Sequence, residues 1–515
     1  MKRIILTVGL SSLFLLPAFA TLFPAKAAPI SGDDRVVHVL NRLTFGPKPG
    51  DIEEVKKIGV DAYIDQQLSP EKLPESKAVT DFVSDSSAFK YNPPALYVKY
   101  GPPAQKALRE ELMKSGDGKV DKKDVKTEQK SQYKEIYKEV AQAKLMRALD
   151  SPRQLQELMT DFWFNHFNVS INKGLDHIWI GSYEEQAIRP YALGRFRDLL
   201  EATCHHAAML FYLDNWRNSA SGDRSIGSTA IGSKQKDGSN ENYARELMEL
   251  HTLGVDGGYT QRDVTELARI LTGLSLPRPK NDLDPAGTNM QLGFVYYPKR
   301  HDMEDKELLG QTIKGSGPDE IKQALDILAK HPSTAHHISY QLAQYFVADD
   351  PPKSLVDRLA KKFTETDGNI REVLSALFHS PEFWDSKYTE NKYKNPFRYV
   401  VSSLRAIDAQ PQNYEVISGF LRLQGMPIYA CLTPDGYKNT ESAWLNPDAL
   451  IRRVNFASAV ATNKLPGLGD NTISYENLRK TVGSSISPQS LDVIAKQPEQ
   501  LRPALLLGGP DFMKY

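Results

Sequence analysis

Asn240–Gly273 reads NENYARELMELHTLGVDGGYTQRDVTELARILTG, and its spacing decides the fold class. At about 100° per residue, a helix over 242–253 puts Asn242, Glu246 and Glu249 on one face. Tyr243, Leu247, Leu250 and Gly254 form the apolar face beside it. Gly254, Gly257 and Gly258 suit helix termination and a turn. Thr260-x-x-Asp263 then resembles a capping box opening a second helix. The segment therefore predicts two amphipathic helices joined by a glycine hinge. His251 projects nearly opposite Glu246, so the pair does not form the two-histidine, one-glutamate helix of a zinc protease.

The same periodicity extends in both directions. Val36, Val39, Leu40 and Leu43 keep helical spacing, with Asp33 or Asp34 available as a cap. Tyr133, Ile136, Tyr137 and Val140 form one stripe within the charged stretch 124–150, which predicts a long surface helix. Ile338, Leu342 and Phe346 mark another apolar face. The pattern lapses around 277–316, where Gln291–Tyr297 and Leu308–Ile313 read as short strands and predict a minor β-hairpin near 290–313. The charged loop 114–124 and the Gly/Ser-rich run 217–240 read as surface loops. The expected fold is all-α: one large multi-helix domain over 28–515, open to a division into two lobes.

Composition bounds the compartment. Lys2 and Arg3 precede the apolar run Ile4–Leu16, Pro17 ends it, and Ala25-Lys26-Ala27 gives a small-x-small cleavage pattern. Ala18-Phe19-Ala20 is a second possible cleavage site. This is a signal peptide over 1–27, too short for the roughly 20 apolar residues of a membrane span. The whole chain has 64 basic and 64 acidic side chains, and three of the basic ones leave with the leader. No cationic excess is left to attract nucleic acid, and no transmembrane segment follows signal removal. The mature protein is expected in the periplasm or outside the cell. Cys204 and Cys431 are its only cysteines; an oxidising compartment permits one disulfide, but spacing alone cannot bring the two sulfurs together.

The candidate site residues follow from the same segments. Glu246 and Glu249, with Asn242 beside them, can share a divalent cation or divide into acid and base. The bland alternative is an ordinary pair between Arg245 and Glu249. Asp161-Phe-Trp-Phe-Asn165-His166-Phe buries an Asn-His pair in an aromatic run, where each polar group needs a partner. His301-Asp302 lies in the irregular stretch where functional loops sit. His166, His251, His301 and Asp302 together have ligand types suited to zinc or another divalent cation, at long and irregular spacing. Serine-nucleophile and dinucleotide-binding signatures are absent.

HVLNRLTFGPKPGDIEEVKKIGVDAYIDQQLSP (38–70) resembles the opening of the bacterial family called domain of unknown function 1800. So do DFWFNHFNVS (161–170), the 240–273 stretch, HPSTAHHISYQLAQYFVADDPP (331–352) and LTPDGYKNTESAWLNPDALIRRVNFA (432–457). The likeness covers nearly all of the mature chain, in order. Ala207 stands where that pattern has Pro, Leu274 where it has Trp, and the 217–240 loop is longer. The resemblance implies an exported, mainly helical bacterial protein and assigns no reaction, so no catalytic residue is carried over from it.

Two functions follow. The first is an exported envelope or extracellular scaffold or interaction protein, with an envelope protein or a polysaccharide as partner. The alternative is a secreted metal-assisted hydrolase acting on an envelope or extracellular polymer. In it Glu246 is base or ligand, Asn242 and Glu249 flank it, and His166, His251, His301 and Asp302 hold or orient a divalent metal such as zinc. The scaffold is the first reading because no established catalytic spacing is present. Export itself is checked by N-terminal sequencing of the mature protein, which is expected to begin at Ala28; a mature chain that still begins at Met1 would overturn the leader.

Overall fold

Apolar stripes at helical spacing cannot stay in water, so each helix lays its stripe against a neighbour. The computed structural model describes residues 29–115, 122–220, 240–277, 288–468 and 473–515. The leader, residues 116–121 of the charged loop and residues 221–239 of the Gly/Ser-rich run lie outside the described residues. One cluster of buried apolar side chains runs from Val36 to Met513. It joins the N-terminal helix Asp33–Leu43, the long helix Lys122–Asp150 and the C-terminal helices Pro447–Ala461 and Arg502–Gly508. The stripe read at 133–140 turns inward as expected, with Ile136 and Val140 buried.

The strands differ from expectation in their partners. Gln291–Tyr297 and Leu308–Ile313 do not pair with each other. Phe294–Tyr296 is instead the central strand of a three-stranded antiparallel sheet, between Leu274–Ser275 and Thr288–Asn289. Gln311–Ile313 folds back on Lys306–Leu308. The reason is local: Leu309 and Gly310 both take positive φ (49° and 75°), the tight two-residue turn that closes a hairpin on its nearest neighbour. Pro298 opens a short 3-10 turn that separates the two sheets.

The helix read as 242–253 runs from Glu241 to Glu249, and Asn240 caps it by accepting from the Asn242 amide. It ends a turn early because the His251 amide reaches back to the Glu246 carbonyl (3.0 Å) and the Leu253 amide to that of Met248 (2.8 Å). Gly254 then adopts φ 86°. The capping box is present: the Thr260 hydroxyl accepts from the Asp263 amide, and Asp263 accepts from the Thr260 amide at 2.8 Å. Cys204 and Cys431 are buried free thiols, not a bridge. Burial pushes the Cys204 thiol up to about 12.

Buried charge fastens the layers. A π-turn over Glu184–Ile188 continues the helix Asp176–Tyr183 and carries Glu184 inside. Its carboxylate pairs with Lys144 at 3.3 Å and Arg189 at 2.9 Å, and accepts from the Tyr429 hydroxyl at 2.9 Å. Burial opposes its charge, but Lys144, Arg189 and Arg147 hold its carboxyl down at about 2. Arg189 also pairs with Glu157 and Glu185. Removing one partner of such a group strands the others in low dielectric. Glu184→Ala is therefore expected to lower stability by about 3–5 kcal/mol, read by urea unfolding; a loss below about 1 kcal/mol would contradict this role for the network.

Candidate functional site

Helix Gln154–His166 must keep Trp163 inside, where its indole donates to the Ala192 carbonyl at 2.9 Å. That orientation leaves Asp161, Phe162, Asn165 and His166 to line a cleft of about 320 Å³. The opposite wall comes from a segment far along the chain. The Asn165 side chain accepts from the Tyr437 amide (2.7 Å) and donates to the Tyr437 carbonyl (2.9 Å). Asn168 donates to the carbonyls of Cys431 (3.2 Å) and Thr433 (2.9 Å). Gly436 fits between them at φ 66°, where a Cβ would meet the Asn165 carbonyl oxygen at 2.3 Å. These two asparagines thus dock 431–437 against the helix and bring Asp435 and Tyr437 to the cleft.

Helix Pro332–Phe346 completes the walls with His337, Gln341, Gln344 and Tyr345, a polar stripe at helical spacing. At the cleft's depth the Lys144 ammonium meets Asp161 at 2.8 Å and lies 5.1–5.7 Å from the ring centres of Phe164, Phe397 and Tyr429. Burial alone would lower its pKa; Asp161 and Glu184 raise it instead. Both cations of the cleft are therefore already paired, Lys144 as described and Lys438 with Asp435 at 2.6 Å.

Two of the site residues singled out in the sequence, His166 and Glu249, line this cleft, and Glu246 lies one turn before Glu249 on the same helix. Glu249 lines it and accepts from the Tyr259 hydroxyl at 3.1 Å. Glu246, one turn earlier, is half-buried, and no side chain among the described residues hydrogen-bonds its carboxylate. Burial raises its pKa, and the negative charges of Glu249 and Asp435 raise it further. Asp435 shifts the opposite way: burial opposes its charge, but hydrogen bonds from Lys438 and Thr433 lower it. Asn242 is exposed, and its amide donates to the Leu213 carbonyl at 3.2 Å, a structural contact. The anticipated Arg245–Glu249 pair does not form; Arg245 turns to Glu241 (3.4 Å) and Gln261 (2.8 Å), which leaves Glu249 to the cleft.

The four residues read as metal ligands do not come together. His166 Nε2 donates to the His251 carbonyl at 3.1 Å. Burial, with His337 beside it, holds the His166 imidazole down at about 3. His251 is buried with its ring 5.0 Å from that of Phe167 and 6.1 Å from that of His166. His301 lies elsewhere with both nitrogens engaged, Nδ1 at the Thr272 carbonyl (2.8 Å) and Nε2 at Glu320 (3.0 Å). Glu320 also takes the buried Lys306 ammonium at 2.6 Å. Asp302 is held by two bonds from Arg269, at 2.7 and 3.2 Å. These groups tie the strand region to helices Gln261–Ile270 and Pro318–Lys330. Among the described residues, no group of three or more His, Cys, Asp or Glu side chains is arranged to hold a metal ion.

Sequence reasoning passed over Lys144, His337, Gln341 and Asp435. The stripe His337, Gln341, Gln344 was visible at helical spacing, and Asp435-Gly436 as a turn. Nothing local connected either to His166.

Comparison with known families gives one match, a family model described as "Protein of unknown function (DUF1800)", over residues 38–514. No curated protein and no solved structure matches the chain.

The buried imidazole makes stability depend on pH. His166 takes up a proton near its ordinary value of 6.5 when unfolded, but only near 3 when folded. Between those values the unfolded chain binds the proton that the fold refuses, so this contribution is whole above 6.5 and is lost as pH falls toward 3. The urea midpoint of the wild type is expected to fall from about pH 7 to about pH 4.5 more steeply than that of His166→Gln. Parallel slopes for the two proteins would show that His166 carries none of the effect.

Proposed function

We propose that this chain, which belongs to the DUF1800 family, is an exported envelope or extracellular protein whose cleft binds a segment of a neutral or amine-bearing polysaccharide. The observation that carries this reading is the composition of the cleft wall: it combines aromatic rings with side-chain amides and carboxylates, and its lysines, Lys144 and Lys438, are already paired. Ring faces pack against the apolar C–H faces of a sugar, while amides and carboxylates take its hydroxyls; a mostly apolar lining with a few placed polar groups is the general form of a ligand cleft. An anionic polymer fits poorly, because among the described residues no unpaired cation faces the cleft, and Glu249 in its wall would repel it. Export rests on the leader pattern at residues 1–27. No helix of the described residues is long and apolar enough to cross a membrane.

The hydroxyl-binding groups are the half-buried side chain of Gln341, which sits beside His166, and the amides of Gln344 and Asn439. Phe162, half-buried and 5.2 Å from the Tyr345 ring, offers the apolar face. Calorimetric titration with cellohexaose and chitohexaose is expected to show binding. Phe162→Ala and Gln341→Ala are each expected to weaken it about fivefold, the equivalent of about 1 kcal/mol, without lowering the melting temperature to match. Absence of binding to either sugar, or binding that neither substitution changes, would overturn the proposal.

A further inference from the structure

We infer, resting on the polysaccharide reading above, that the binding surface continues past the cleft onto Trp444, so that the ligand is recognised as a chain and not as a single sugar. A cleft of about 320 Å³ is at the small end of ligand pockets, which run from roughly 300 to 1,000 Å³. It encloses only a short stretch of a polymer, and the rest must lie on what the cleft opens onto. Tyr437, Lys438 and Asn439 line the cleft, and the chain runs on from them into the one-turn helix Glu441–Trp444. The Trp444 ring is partly exposed, with its centre 6.0 Å from that of Tyr437 and its plane turned by 55°. Tyr437 and Trp444 thus make one aromatic surface that starts in the cleft wall and ends beyond it.

What these two rings offer is apolar face, because their polar atoms are already engaged. The Tyr437 hydroxyl donates to the Pro427 carbonyl at 3.0 Å, and the Trp444 indole N–H to the Lys438 carbonyl at 2.8 Å. A ring left partly in water forgoes some of the burial that would stabilise the fold, yet the chain is fastened so that Trp444 stays there. The buried Lys392 ammonium pairs with Asp349 and donates to the Asn439 carbonyl at 2.8 Å. Asp349 in turn accepts from the Glu441 amide at 2.6 Å. On the other side Asn446 caps the next helix, accepting from the Ala449 amide at 2.9 Å. A ring held from both sides is pre-organised, so little ordering opposes a sugar that packs on it.

The test is calorimetric titration of the purified mature protein with cellotriose, cellohexaose, chitotriose and chitohexaose. A hexasaccharide is expected to bind about tenfold more tightly than its trisaccharide, from added registers and one further aromatic contact. Trp444→Ala is expected to weaken the hexasaccharide about fivefold more than the trisaccharide. Trp444→Phe keeps a ring but not the N–H, and is expected to retain most of the gain with length. Equal affinity for the two lengths, or an equal change in both on Trp444→Ala, overturns the extension and leaves the cleft reading standing. A loss in Trp444→Phe as large as in Trp444→Ala traces the effect to the Lys438 contact and also overturns the extension. No binding at either length overturns both readings.

Discussion

Glu184 is the interior charge on which the cleft depends. It is a carboxylate out of water, tolerated because Lys144, Arg189 and the Tyr429 hydroxyl converge on it. Each partner belongs to a different segment: the long helix Lys122–Asp150, the turn after Glu184–Ile188, and the loop that brings Tyr429 to the cleft wall. A buried ion is stable only with all its partners in place, because an unpaired one costs several kcal/mol. The network therefore fixes the register of three segments at once. Lys144 is held at the depth of the cleft with Asp161 on its other side, and Tyr429 is held above it.

The mouth of the cleft follows a different logic. Amides do the work that charge does below: Asn165 and Asn168 dock the 431–437 loop through backbone groups, and Gly436 lets that loop approach closer than any other residue would. Docking brings the Asp435 charge to a helix that already carries Glu246 and Glu249. The acidic crowding is thus a product of folding; burial and that crowding raise the pKa of Glu246, while Lys438 and Thr433 lower that of Asp435. His301 and Asp302, by contrast, spend their polar atoms on Glu320, Thr272 and Arg269, holding the two small sheets to the helices beside them.

How far the sequence could be read is clearest residue by residue. The Thr260–Asp263 box and the face shared by Glu246 and Glu249 depend on neighbours within two turns, and both stand as read. Asn165 and His166 were seen to need partners, but the partners, Tyr437 and the His251 carbonyl, were not identifiable. The minor hairpin read near 290–313 is present, over Lys306–Ile313, but the two runs expected to form it take other partners, because a run's pairing partner is not written within the run. The proposed ligand set failed for the same reason: ligand type is visible in one dimension, convergence is not.

What the sequence by itself determined is therefore local and periodic: the helical class, several helix positions, the Thr260–Asp263 cap, and which residues needed burial or a polar partner; the cap read at Asp33 or Asp34 does not form, since the first helix starts after Gly32 with both inside it. A helix is written in contacts three and four residues apart, and those can be counted along the chain. What only the tertiary structure decided is the site. The Asn165–Tyr437 contact spans 272 residues, and the influence of Asp435 on Glu246 crosses between separate elements. Such meetings arise from how helices pack and how a buried charge collects its partners, and no spacing along the chain encodes them.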